Sequence, residues 1–222
     1  MTSITAVLNN LGNLPSATKE DDDDTIFVKK QEYAEVLNGR PTRPDPVGGK
    51  GNLIPGVLFA TDGISLLASV SYSLPQDYDA LFLTGNESID GSGNDSDNYI
   101  EGNIGDNLLE GNEGNDWLQG GDGEDTLIGG AGGDLMVGGA DADRFVLNDS
   151  AVLDFIADFS VAEGDKIRIV ASEFGIEPTA YDAFEFDAEH QVLRLDGDAI
   201  AMFGSDTDFS EISSVEGAIE LV

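Results

Sequence analysis

Gly102-Asn103-Ile104-Gly105-Asp106-Asn107-Leu108-Leu109-Glu110 is followed without a break by Gly111-Asn112-Glu113-Gly114-Asn115-Asp116-Trp117-Leu118-Gln119. Then come Gly120-Gly121-Asp122-Gly123-Glu124-Asp125-Thr126-Leu127-Ile128 and Gly129-Gly130-Ala131-Gly132-Gly133-Asp134-Leu135-Met136-Val137. A degraded copy opens at Gly93, and a closing copy over residues 138–146 carries Asp141 at its fourth place. Three columns stay in step through these six phrases: Gly first, Asp or Asn sixth, a large apolar residue eighth. The apolar column reads Ile100, Leu109, Leu118, Leu127, Met136, Phe145. A flexible Gly/Asp linker has no use for a large apolar residue at every ninth position, so the phrase specifies structure.

Each phrase reads as a six-residue turn of Gly, Asn, Asp and Ala, followed by a three-residue strand whose middle side chain points inward. So short a strand is not stable alone, but strands stacked about 4.8 Å apart pair through their backbones. Two phrases then make one coil of an all-β parallel roll, and every second turn lies on the same edge. This places Asp116 over Asp134 on one edge and Asp125 over Asp143 on the other. Carboxylates about 5 Å apart repel by roughly 1 kcal/mol in water and about 3 kcal/mol at an intermediate dielectric. A hard cation removes that repulsion. Turn carbonyls and carboxylates together offer the all-oxygen shell of roughly six to eight ligands that calcium takes.

The phrase resembles the glycine-rich nonapeptide repeats of secreted bacterial RTX toxins and proteases, whose signature is Gly-Gly-x-Gly-x-Asp-x-(large apolar)-x. The resemblance implies a right-handed parallel β-roll holding several calcium ions, two to four here, each between turns two phrases apart. Carried over residue by residue, the sixth-place ligands are Asp116, Asp125, Asp134 and Asp143, with Asn107 at the start of one column. The surrounding turns are Gly111-Asn112-Glu113-Gly114, Gly120-Gly121-Asp122-Gly123 and Gly129-Gly130-Ala131-Gly132. Asn98 and Asn107 hold the sixth place of the first two phrases, with Asp97 and Asp106 one place early, so sites there are expected to be weaker or absent. Asp141 suggests that the last turn ends the roll.

Composition agrees with this reading. The formal charge is −34, from 44 acidic against 10 basic residues, which argues against nucleic acid and anionic membranes as partners. The 222 residues include no cysteine, so a metal is the expected staple in place of disulfides. No apolar run approaches a membrane span, and the first residues lack the basic start and apolar core of a secretory signal peptide. The resemblance to secreted RTX proteins implies an extracellular location, here without an N-terminal signal.

Along the chain, residues 1–60 read as a tail or as a lead-in packed on the roll. Asp21 to Asp24 form a solvated acidic loop, Ile26-Phe27-Val28 a strand, and Gln31 to Leu37 a short helix. Residues 61–92 resemble the imperfect coils that precede RTX repeats and cover an open sheet edge, with strands at 64–74 and 79–85. The roll proper is expected over 93–147, and a C-terminal β cap over 148–222. In the cap, Val152-Leu-Asp-Phe-Ile and Glu163-Gly-Asp-Lys-Ile-Arg-Ile resemble the segment after the roll in serralysin-type proteases, with Arg168 where that family has Asp. Residues 184–187 and 192–196 read as a hairpin, and 199–203 and 217–222 as further strands. The last residues resemble the C-terminal signals that direct RTX proteins through type I secretion machinery.

No catalytic head is visible. His190 is the one histidine, so a His-Glu-x-x-His site cannot form, and neither a Gly-x-Ser-x-Gly elbow nor a cysteine is present. Trp117, at an outward seventh place, is read mainly as strand-face packing, with stacking on a sugar or a partner as the alternative. Two functions stand: a non-enzymatic calcium-binding roll acting as a surface, matrix or interaction module with an unidentified protein or glycan partner, or a small secreted hydrolase whose active site lies outside the repeats.

Overall fold

A computed structural model describes residues 56–59, 65–205, 207 and 215–222. The acidic loop, strand and helix expected before residue 40 lie outside these residues. The described chain is an all-β solenoid of two facing sheets. Strands β1 (Val57–Phe59), β2 (Ser65–Ala68), β4 (Ala80–Leu83), β6 (Tyr99–Glu101), β8 (Trp117–Asp122), β10 (Leu135–Ala140) and β12 (Asp154–Ile156) run consecutively through one sheet. It ends with β16 (Asp198–Phe203), β15 (Val192–Leu195) and β14 (Phe184–Asp187). The other sheet holds β3 (Tyr72–Ser73), β5 (Gly91–Ser92), β7 (Leu108–Glu113), β9 (Thr126–Ala131), β11 (Arg144–Leu147), β13 (Lys166–Ile169) and β17 (Ile219–Leu221). Tyr181–Ala183 forms a 3₁₀ turn, and Val215–Ala218 a single helical turn, α1.

From β2 to β13 the chain alternates between the sheets, so each strand from β2 to β11 pairs in parallel with the strand two later. Leu109 faces Leu127, and Leu118 faces Met136, at the 18-residue step expected for two phrases per coil. Ile100, Leu109, Leu118, Leu127, Met136 and Phe145 are all fully buried between the sheets. Leu66 and Leu81 extend this row backward, and Ile156, Ile167, Phe203 and Ile219 extend it forward. One continuous spine therefore joins the repeats to both flanking segments.

Two expectations need correction. Strands β7 to β10 are six residues long, not three, because the first three residues of each following phrase go on pairing. Gly121 lies opposite Gly139, and Asn112 opposite Gly130. Residues 64–74 are not one strand: β2 and β3 lie in different sheets, with the corner between them at residues 69–71. Trp117, 3% exposed, takes the strand-face packing role read for it, which leaves no face for a sugar. It packs edge-on to Tyr99 at 5.0 Å, in a row that also holds Ala80, Leu135, Phe155 and Met202.

The edges of both flanks are explicit. β1 adds antiparallel to β2 at the leading edge. At the other end β14, β15 and β16 form an antiparallel meander, as the hairpin reading requires. His190 sits in its exposed turn with Nδ1 2.8 Å from Asp187 Oδ2, and Arg194 holds the same oxygen at 2.9 Å. β17 pairs in parallel with β13 and buries Ile219, so the end of the chain is a strand of the roll.

Candidate metal centre

The sixth-place side chains form two ladders, one on each edge. Asp134 Oδ1 accepts the Asp116 N–H at 2.8 Å, and Asp116 Oδ1 accepts the Asn98 N–H at 2.7 Å. On the opposite edge Asp143 Oδ1 accepts from the Asp125 N–H at 2.9 Å, and Asp125 Oδ1 from the Asn107 N–H at 2.7 Å. One oxygen of every carboxylate is thus fixed by the backbone of the coil before it. The other is left over: Oδ2 of Asp116, Asp125, Asp134 and Asp143 is buried with no hydrogen-bond partner. These side chains are at most 1% exposed. Burying a charged oxygen without a donor costs several kcal/mol, so the arrangement asks for a positive partner.

The glycine columns show where that partner fits. A Cβ on Gly111 would collide with Asp116 Oδ2 and the Gly129 carbonyl oxygen. A Cβ on Gly120 would meet Asp125 Oδ2 and the Gly138 carbonyl in the same way. Oxygens from two successive coils therefore converge beside the first-place glycine. Second-place residues Asn112, Gly121, Gly130 and Gly139 all have positive φ, from 82° to 121°. Their neighbours are close: a Cβ on Gly130 would strike the Asn112 carbonyl, and one on Gly139 the Gly121 carbonyl. Gly130→Ala combines a disfavoured backbone with a clash against fixed backbone, together about 3 kcal/mol or more. It should lower the melting midpoint in saturating calcium by roughly 6–12 °C. Gly175→Ala, also at positive φ but with nothing within 4 Å of its Cβ, should cost no more than about 1–2 kcal/mol.

Among the described residues no three acidic, histidine or cysteine side chains gather in one place. A metal here must draw most of its shell from backbone carbonyls, with one or two carboxylates, a donor set of oxygen alone. That excludes the sulfur and imidazole sites of zinc and suits calcium. The carboxylates are correspondingly perturbed. Burial first, then the neighbouring Asp134 carboxylate, pushes Asp116 up to about 8. Burial likewise raises Asp143 to about 8 and Asp125 and Asp134 to about 7.

The family model described as RTX calcium-binding nonapeptide repeat (4 copies) matches twice, over residues 92–126 and 110–145. Residues 92–145 are RTX calcium-binding repeats. No curated protein sequence and no solved structure matches the chain. The RTX turns hold the other sequence-predicted residues in different settings. Glu113 is exposed, Asp122 lies at the exposed end of β8, and Gly114, Gly123, Ala131 and Gly132 form the outer part of each turn. Asn107 is buried with its amide fully engaged. Asp97 and Asp106, one place early, accept the backbone N–H of Asn115 and Glu124 in the coil above. They fasten the outer rim of the RTX turns and lie outside the sixth-place ladders.

Both ladders also run past the repeats. Asp154 Oδ1 accepts the Asp134 N–H at 3.1 Å, and Asp165 Oδ1 accepts the Asp143 N–H at 2.9 Å. Sequence reading passed over both because the spacing grows from 18 residues to 20 and then 22. The available signal was the second half of the RTX phrase, Asp then any residue then a large apolar one, in Asp154-Phe155-Ile156 and Asp165-Lys166-Ile167. Asp165 Oδ2 takes the Ser160 N–H, and Asp158 accepts from Gly138 and Gly139 with its two oxygens. At this end backbone donors reach both oxygens of Asp158 and of Asp165.

Proposed function

We propose that the protein is a non-enzymatic, secreted calcium-binding β-roll that folds on meeting extracellular calcium and then serves as a surface, matrix or interaction module. The observation that carries this reading is the set of four buried, donorless Oδ2 atoms in two ladders, each against the first-place glycine of its phrase and, for Asp116 and Asp125, beside a glycine carbonyl of the next coil. Two to four ions suit that set. Extracellular calcium modules bind with dissociation constants of roughly 10⁻⁴–10⁻³ M. Inside a cell free calcium lies far below this, so the ladders stay repulsive and the repeats open; outside, calcium closes them. No helix of the described residues is long and apolar enough to cross a membrane.

Export through a type I channel, directed by residues 216–222, fits a chain that folds only after passage. Deleting residues 219–222 would remove β17 and the buried Ile219, confusing export with stability. A cleaner test changes Glu220→Lys and Val222→Asp, at half-buried and exposed positions respectively. The purified variant should bind calcium like the parent, while cells carrying a type I exporter retain it. Export at the parental rate would remove the signal assignment and leave calcium binding standing.

A further inference from the structure

The first two phrases differ from the later ones in how their turns are closed. In the turn of residues 93–98, Asn98 Oδ1 accepts the Asn94 N–H at 2.7 Å, and Asn98 Nδ2 donates to Asn94 Oδ1 at 3.2 Å. The turn of residues 102–107 repeats the pair: Asn107 Oδ1 accepts the Asn103 N–H at 2.8 Å, and Asn107 Nδ2 donates to Asn103 Oδ1 at 3.1 Å. Asn107 Nδ2 also donates to the Ile89 carbonyl of the preceding coil at 2.6 Å. The second-place amides reach back in turn. Asn94 Nδ2 donates to the Pro75 and Tyr78 carbonyls, and Asn103 Nδ2 to that of Glu87.

The geometry of the later phrases is the complement of this. Second-place Asn112, Gly121, Gly130 and Gly139 have positive φ, whereas Asn94 and Asn103 do not. No donor then reaches the sixth-place Oδ2, which stays buried and unpartnered in Asp116, Asp125, Asp134 and Asp143. In the first two phrases the equivalent oxygen still converges with a first-place carbonyl of the following coil, Gly111 beside Gly93 and Gly120 beside Gly102, but it has its donor, and the side-chain N–H groups tie each turn to carbonyls of the preceding coil. The N–H donors of each asparagine pair thus give the buried oxygen the positive partner that a cation gives further along.

We propose that the coils bearing Asn98 and Asn107 are closed by these asparagine pairs in place of calcium. Residues 65–107 then form a calcium-independent end of the roll, on which the calcium-dependent coils from residue 108 onward are stacked. The inference rests on the calcium reading of the RTX repeats and adds where the ion column begins. Its function is conformational. A preformed edge presents β6 to β8 and β5 to β7 in register, so calcium closes coils onto a template and need not nucleate the roll.

Hydrogen exchange of the full 222-residue chain, without divalent ions and with millimolar calcium, tests the proposal. Without calcium, amides over 89–107 should exchange at least about tenfold more slowly than those over 116–143. Adding calcium should slow the second group by about a hundredfold or more and change the first by less than about threefold. Equal, fast exchange of both groups without calcium would overturn the amide closure. No slowing anywhere on adding calcium would overturn the calcium reading itself. The double substitution Asn103→Gly with Asn107→Asp rebuilds the second phrase in the pattern of the later ones. At saturating calcium, with 116–143 protected as proof of folding, equilibrium dialysis should count one more ion per chain than for the parent. The same variant should lose its protection over 89–107 when calcium is removed. An unchanged ion count with unchanged protection refutes the proposal.

Discussion

Freed of divalent cations near pH 7.5, the chain is expected to lose the ordered β-structure of its repeats from residue 108 onward and to regain it cooperatively as calcium is added. Four buried carboxylate oxygens have no donor, and the ladders bring like charges within one coil spacing of each other. At calcium tenfold above the dissociation constant each site contributes about 1.4 kcal/mol, so three or four contribute roughly 4–6 kcal/mol. Whole domains are stable by only about 5–15 kcal/mol, so the metal decides whether the repeats fold. Circular dichroism during a calcium titration reads this directly, and a spectrum indifferent to exhaustive removal of calcium would refute it. The same titration ranks the aspartates. Asp125→Ala removes both the donorless oxygen and the acceptor of the Asn107 N–H, and should move the midpoint to severalfold higher calcium. Asp97→Ala loses exposed contacts to Asn115 on the rim and should move it little. Equal shifts would mean that the ladder is not where the ions bind.

What the sequence disclosed of this arrangement follows from how strictly geometry repeats. A coil of two nine-residue phrases returns the chain to the same edge every 18 residues, so Asp116 over Asp134 and Asp125 over Asp143 could be read from period alone. Asp154 and Asp165 escaped because longer corners change the period while the sheet keeps its spacing. The pairing that stacks strands is local to the strand, and nothing obliges the loop between to keep its length. Trp117 was hard to place for another reason. A seventh-place side chain points away from the spine in both sheets, but on β9 and β11 that place holds Thr126 and Arg144, half-buried. On β6, β8, β10 and β12 it holds Tyr99, Trp117, Leu135 and Phe155, all buried. The contrast between even and odd phrases is visible in the sequence only once it is read with period 18. The asparagine pairs of the first two phrases were least legible, since second-place Asn94 and Asn112 share an identity and differ in φ.

The second large effect is an inversion of pH dependence by calcium. Burial, as the leading cause, raises Asp116 and Asp143 to about 8, Asp125 and Asp134 to about 7, and Asp165 to about 6. Their unfolded value is near 3.8, so between that pH and about 8 the folded chain holds protons the unfolded chain has lost. Stability then falls as pH rises. The contribution is fully present below pH 4 and is lost as pH passes through 6 to 8, on the order of several kcal/mol over the four repeat carboxylates. Protons thus do in acid what calcium does at neutral pH. Metal-free protein at pH 5 should show more β-structure and a higher melting midpoint than at pH 8. With calcium saturating, the ladder must be deprotonated to bind, so stability should instead rise from pH 5 to 8, and calcium added near pH 6.5 should release protons in a pH-stat. Repulsion among the many surface acids also favours low pH, but ordinary carboxylates finish titrating near pH 5. Loss of metal-free stability between pH 6 and 8 is therefore the signature of the buried ladders. Asp116→Asn together with Asp143→Asn should flatten that interval. A metal-free melting midpoint that is constant or rising from pH 6 to 8 in the parent chain would show that these carboxylates are already ionised in the folded roll.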